Sequence, residues 1–214
     1  MNHIRPHKVF NLLGEEDRMA RINLPFQHSV TSMLERAILA SLLKVIAPRT
    51  IFEFGTYLGE TTLMFAENSS AQIFTLDLGA ACDSELLDGY EQKNLGQSLC
   101  QKKLFDDASH RERIVELFGD STQFDFAPYR EAMDFILIDG GHHMQVVRSD
   151  TENAFCMITK DRPACIVWHD YRNPNYQITE YLDELSDAIP LFHVEETKYV
   201  FSFHNGATLS GLRS

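Results

Sequence analysis

The sequence predicts an α/β protein built on a doubly wound, mostly parallel sheet, and three observations predict it. Apolar strand-like runs alternate with helical patterns from Thr50 onward. The first of these runs, Ile51–Phe54, leads directly into a glycine-bearing turn and a helix. The chain then closes on two strand-like runs joined by a short polar turn. Alternation of this kind implies parallel pairing through right-handed crossovers, and a terminal hairpin adds one reversed strand.

Residues 1–28 show no clear period and read as an arm or part of a lid. A helix from about Ser29 to Ile46 follows, because Met33, Leu34, Ala37, Ile38, Leu42 and Val45 recur at helical spacing. Ser32 and Glu35 can form a capping box, and Pro48 stops the pattern. Ile51–Phe54 is a strand, Gly59–Glu67 a helix and Ile73–Leu76 a strand. Residues 78–111 make a long polar connection with a helix near Glu91–Leu104, long enough for a lid or substrate insert. Strands at Arg113–Phe118, Asp134–Ile138 and Ala164–Trp168 alternate with helices at Phe126–Ala132, His143–Thr159 and Gln177–Ala188. Met144, Val147, Ala154, Phe155 and Ile158 share one face of the helix at 143–159. Leu191–Val194 and Lys198–Phe203 form the closing hairpin across Glu195–Thr197. The expected product is one domain over residues 1–214: an arm and helical cap (1–48) on a Rossmann-like, seven-stranded core (50–205) that carries the 78–111 insert.

Composition narrows the partners. Hydrophobic residues make up 44% of the 214 and charged residues 23%, ordinary for a globular chain. A net charge of −12 argues against nucleic acid and anionic membrane. No apolar run is long enough to span a bilayer, and the N-terminus lacks a signal-peptide pattern. Cys82, Cys100, Cys156 and Cys165 have no metal-type spacing, and the latter two sit in apolar runs as expected buried thiols. These features point to a cytoplasmic setting.

The turn after Phe54 is where a helix N-terminus can face a ligand. A Cβ at Gly55 or Gly59 would collide with that ligand or strain the turn. The spacing is G-x-x-x-G rather than the dinucleotide G-x-G-x-x-G, so a pyrophosphate ligand is less favoured. Asp77 ends the next strand, where a carboxylate can accept from ribose hydroxyls. Asp120 ends the one after, where an acid can meet the exocyclic amine of adenine. Each acid taken singly could be a helix cap or turn residue instead. Asp139, His142, His169 and Asp170 end two further strands and make a polar cluster suited to proton transfer or cation binding.

Glu53-Phe-Gly-Thr-Tyr-Leu-Gly-Glu-Thr-Thr62 resembles motif I of the class I S-adenosylmethionine-dependent methyltransferases. Phe118-Gly-Asp-Ser-Thr122, Ile138-Asp-Gly-Gly-His142, Asp150 and Trp168-His-Asp-Tyr171 resemble the branch with IDGxH and HDY segments. The chain departs from that branch at Thr159-Lys-Asp-Arg-Pro163, where a Gly-Gly turn is usual. The resemblance implies that Glu53 and the Gly55–Gly59 turn, with Thr56 and Thr61, hold the methionine portion of the cofactor. It implies Asp77 for the ribose, Asp120 with Ser121 for the adenine, and Asp139 for the cofactor's reactive end.

The expected reaction is O-methylation of a small-molecule hydroxyl (sugar, phenolic or secondary metabolite) with S-adenosylmethionine as donor. His142 is the expected general base, and Asp139 with Asp170 orients substrate or metal. Asp139, His169 and Asp170 are the expected ligands for magnesium or another divalent cation. Expected partners are a methyl acceptor, with no nucleic acid and no membrane, and homo-oligomerisation is left open. Two other readings are an NAD-linked or nucleotide-sugar oxidoreductase and a silent cofactor-binding module. His143 reads as structural, Tyr57 and Trp168 as apolar packing, and Arg148, Asp150 and Glu152 as a solvated helical face.

Overall fold

The computed structural model describes residues 4–7, 23, 31–79, 86–87 and 89–207. Its elements are β1 (Arg5–His7), α1 (Met33–Ile46), β2 (Thr50–Phe54), α2 (Glu60–Asn68), β3 (Gln72–Asp77), α3 (Gly89–Cys100), β4 (Ile114–Phe118), β5 (Phe135–Ile138), α4 (Met144–Met157), β6 (Ala164–Trp168), α5 (Ile178–Leu185), β7 (Phe192–Val194) and β8 (Val200–His204). They build one sheet in the order β1-β7-β8-β6-β5-β2-β3-β4. β8 runs antiparallel to β6 and β7, and the other pairings are parallel. The seven strands β2–β8 give the expected doubly wound, Rossmann-like sheet with its reversed terminal strand.

Helices cover both faces, which is why the strands read as continuous apolar runs rather than alternating ones. The pleat still sorts their residues. Ile51, Ile73, Phe135, Leu137, Cys165 and Val167 join α1 and α2 in one core. Phe52, Phe54, Leu76, Ile136, Ile138, Ile166 and Trp168 join α4 and α5 in the other. α1 starts at the expected capping box: the Glu35 N–H donates to Ser32 Oγ at 3.2 Å, and the Ser32 N–H donates to Glu35 Oε2 at 3.2 Å.

Four expectations change. The helix expected at 126–132 is only a 3-10 turn, Ala127–Tyr129, containing Pro128. The insert's helix ends at Cys100 and continues as turns. Cys156 is exposed, whereas Cys165 is buried as expected. β1 lies inside the presumed arm and pairs with β7. Its Pro6 lacks an N–H, so a strand of this composition belongs at an edge. The rest of the 1–28 arm, apart from residues 4 and 23, and the 80–85 stretch of the insert with Cys82 lie outside the described residues. No described helix is long and apolar enough to cross a membrane.

Candidate active site

β2 and β5 are neighbours, but their chain connections leave in opposite directions across the sheet. Such a switch point opens a crevice beyond the strand C-termini. Here it forms a cleft of about 930 Å³, counted with its open mouth. Asp77, Asp120, Ser121 and Asp139 border it, from the ends of β3, β4 and β5. Leu86, Leu87 and α3 residues Asn94, Leu95 and Ser98 supply another wall, so the insert helps to shape the cavity.

The turn after β2 is held by packing. Gly55 has φ +93°, and a Cβ there would sit 2.1 Å from the Asp139 carbonyl oxygen. Gly59 has φ +78°, and its Cβ would meet the Phe105 ring at 2.4 Å. The Gly55 turn and the loop after β5 are therefore in backbone contact.

Glu53, Thr56, Gly59 and Thr61 are not in the cleft wall. Alternation along β2 turns Glu53 to the α2 face, away from Phe54, which does border the cleft. Glu53 is 1% exposed and accepts from the hydroxyls of Thr62 at 2.5 Å and Thr75 at 2.7 Å. Burial raises its pKa to about 8 against the opposing effect of those two bonds. Thr56 is paired with Thr75 at 2.7 Å. Glu53 thus ties the turn to β3 and α2.

Asp77 accepts from the N–H groups of Tyr57 and Leu78, each at 2.9 Å, and from Ser98 Oγ at 3.1 Å. Burial raises its pKa, and Lys103 at 3.8 Å opposes that rise. Lys103 also donates to the Tyr57 carbonyl. Asp120 Oδ1 accepts from the Thr122 N–H at 2.9 Å and from its hydroxyl at 2.7 Å.

At the β5 and β6 ends the carboxylates meet imidazoles. His169 Nδ1 lies 3.0 Å from Asp139 Oδ1 and 3.3 Å from Asp170 Oδ2, and its Nε2 is 3.5 Å from Glu35 Oε1. His142 Nε2 lies 3.0 Å from Asp170 Oδ2, and its Nδ1 is 2.7 Å from Glu91 Oε1. The His142 backbone N–H donates to the same Glu91 oxygen at 2.8 Å, and the ring stacks on Tyr176 at 4.0 Å. Asp170 has φ +61°, a strained backbone for a residue with a side chain.

Burial disfavours the charged rings, but the carboxylates outweigh it. The pKa of His142 rises to about 9 through Asp170 and Glu91. That of His169 is raised well above its usual value through Asp139, Asp170 and Glu35. Burial would raise Asp170, yet the two histidines hold it below the usual carboxylate range. Asp139, His142 and Asp170 can each offer one ligand atom, all within 4.8 Å of one another. His142 joins the two carboxylates in that group, and His169, the expected imidazole ligand, also faces both, with its Nδ1 3.0 Å from Asp139 and 3.3 Å from Asp170.

The family model described as a methyltransferase domain (methyltransferase family 24) matches residues 52–171, more than half of the chain. This chain belongs to that methyltransferase family. An O-methyltransferase from Bacillus cereus in complex with SAH aligns at 20% identity over 84% of this chain and 83% of that one, TM-score 0.55. A putative caffeoyl-CoA O-methyltransferase from Staphylococcus aureus aligns at 11% identity over 82% and 84%, TM-score 0.56. The O-methyltransferase TomG from Streptomyces achromogenes, in complex with SAM, aligns at 12% identity over 81% and 80%, TM-score 0.53. These likenesses show the shared class I methyltransferase fold. No curated protein sequence is a significant match.

Within this methyltransferase domain the sequence reading brings Asp77, Asp120, Ser121, Asp139 and His142 to one cleft, and His169 and Asp170 adjoin it in the cluster. It misses three acids. Glu35 reads as a helix cap, and its approach to His169 is a contact between distant parts of the chain. Glu91 reads as one acid among several on a polar connection, yet it is buried against His142. Asp150, expected on a solvated face, is 1% exposed and borders the cleft. The apolar stripe of α4 carried the signal for Asp150, since residue 150 falls between Val147 and Ala154 on that stripe. His143 is structural as expected, capping α4 by accepting from the Gln145 N–H at 3.2 Å. Tyr57 borders the cleft, whereas Trp168 is fully buried and donates to Thr151 Oγ1 at 2.9 Å.

Proposed function

We propose that this methyltransferase domain transfers a methyl group from S-adenosylmethionine to a hydroxyl of a small molecule. The observation that carries the reading is the single cleft at the switch point, with Asp77, Asp120 and Asp139 at the ends of neighbouring strands. A nucleoside fits that frame: Asp77 for the ribose, the Asp120–Ser121 turn for the base, and Asp139 with the Gly55 turn near the reactive end. Glu53 serves by fixing the turn beneath. The solved neighbours named as O-methyltransferases favour oxygen as the acceptor atom. The acidic chain favours a small acceptor over nucleic acid.

Methyl transfer from a sulfonium needs alignment above all, because the electrophile is already activated. The acceptor hydroxyl must also lose its proton. His142 stands where it could take that proton, but as held by Asp170 and Glu91 it is protonated at neutral pH. The neutral ring that a base needs is favoured when Asp139 and Asp170 neutralise a cation instead. The carboxylates of Asp139 and Asp170 fit a divalent ion, with His169 as the imidazole donor so that the His142 ring keeps its lone pair for the proton. Such an ion would lower the hydroxyl's pKa and fix its position.

Calorimetric titration with S-adenosylhomocysteine and with NAD tests the cofactor. Binding of the first in the micromolar range without the second supports the reading, and the reverse order overturns it. A screen of hydroxylated acceptors, with and without magnesium, then tests turnover.

A further inference from the structure

Asp150 stands out among the cleft's acids because it lacks a full set of partners. It projects from α4, is 1% exposed and borders the cleft beside Asp120 and Ser121. Its Oδ1 is buried with no hydrogen-bond partner. Its Oδ2 side packs on the loop after β5, 3.6 Å from where a Cβ on Gly140 would be. A buried acceptor without a partner has lost its water and gained nothing in return, which is unfavourable. A group that donates an N–H or O–H to it would satisfy it. Asp120 is a poorer candidate for such a donor, since its Oδ1 is already occupied by the Thr122 N–H and hydroxyl.

Deepening the proposed function, and resting on its cofactor, we propose that Asp150 reads the nucleobase by accepting a hydrogen bond at Oδ1 from the exocyclic amine of adenine. The argument is one of chemistry and place. The cofactor's N–H donors are the base amine and the methionine ammonium. Asp77 marks the ribose end of the cleft, and Asp150 lies with the β4-end residues Asp120 and Ser121. The amine is the donor that belongs there. Burial also raises the Asp150 pKa to about 7 against a hydrogen bond with Ser121, and Asp120 adds to the rise, so a further donor at the unpartnered Oδ1 is favoured.

The test is a titration series on the wild-type chain with three S-nucleosidylhomocysteines: adenosyl, inosyl (a carbonyl in place of the amine) and purine ribosyl (a hydrogen in its place). The expected order is adenosyl tightest, at least tenfold over either other compound. Asp150→Ala should weaken the adenosyl compound at least tenfold and leave the purine ribosyl compound within about twofold. Asp150→Asn, which keeps an acceptor oxygen, should retain much of the preference. Equal affinity of the wild type for all three compounds overturns the proposal, as does an undiminished preference in Asp150→Ala. If Asp150→Ala does not fold, Asp150→Val takes its place, and a preference for the adenosyl compound left undiminished in it overturns the proposal. Failure of the wild type to bind the adenosyl compound sinks the cofactor reading as well, whereas binding without discrimination at the base sinks only the role of Asp150.

Discussion

The two wings of the cleft hold their carboxylates in different ways. On the β3–β4 wing, Asp77 and Asp120 take hydrogen bonds from backbone N–H groups and hydroxyls close to their strand ends. On the β5–β6 wing, Asp139 and Asp170 are paired with His142 and His169, and Glu35 and Glu91 reach in from α1 and α3. Donors of the first kind do not themselves titrate near neutral pH. Imidazoles can exchange protons or give way to a cation, so the second wing is suited to a changing charge. The proposed function assigns binding to the first wing and reaction to the second.

The harshest way to break the contrast is at the point where the wings touch. Gly55→Val places a branched side chain at φ +93° and against the Asp139 carbonyl. We expect a loss of about 3 kcal/mol or more of stability, read by urea unfolding, and loss of cofactor binding with it. His142→Ala should act on one wing alone. Turnover should fall about 10²-fold or more while S-adenosylhomocysteine affinity stays within about twofold. Unchanged turnover would remove His142 from the mechanism. Asp77→Asn should do the opposite, weakening cofactor binding about tenfold with little change in turnover at saturation.

The mildest test concerns the acid beneath both wings. The pKa of Glu53 is raised from 4.5 to about 8 in the folded chain. Stability from the neutral form is therefore fully present below the unfolded value of 4.5 and is lost as pH rises through 8. Glu53→Gln should flatten that decline, so its stability relative to wild type should improve between pH 5 and pH 8.5. Denaturant midpoints at the two values measure it, and parallel shifts would refute the assignment.

Much of this arrangement is legible in the sequence. Strands covered on both faces leave plain apolar runs, and Asp77, Asp120 and Asp139 end theirs visibly. Position along a strand does not reveal which face a side chain takes, so Glu53 reads as a cleft residue although the pleat turns it to α2. Pairings such as Glu35 with His169 leave no local pattern, because α1 meets the β6 end only after folding. Asp150 misleads because a carboxyl on a helix reads as solvated, and only its apolar neighbours on α4 betray the burial. The Thr159–Pro163 departure lies away from the cleft. Arg162 there binds Asp134, which precedes β5 at the opposite end of the sheet from the cleft.

The short β1 lies along β7 and completes the border of the sheet on that side. Shortened versions of the chain that begin after residue 8 would leave the β7 rim with bare amides and carbonyls, a template for a foreign strand. Such truncations would be prone to self-association, so expression designs should keep these first residues even though they lie at the far flank of the sheet from the chemistry.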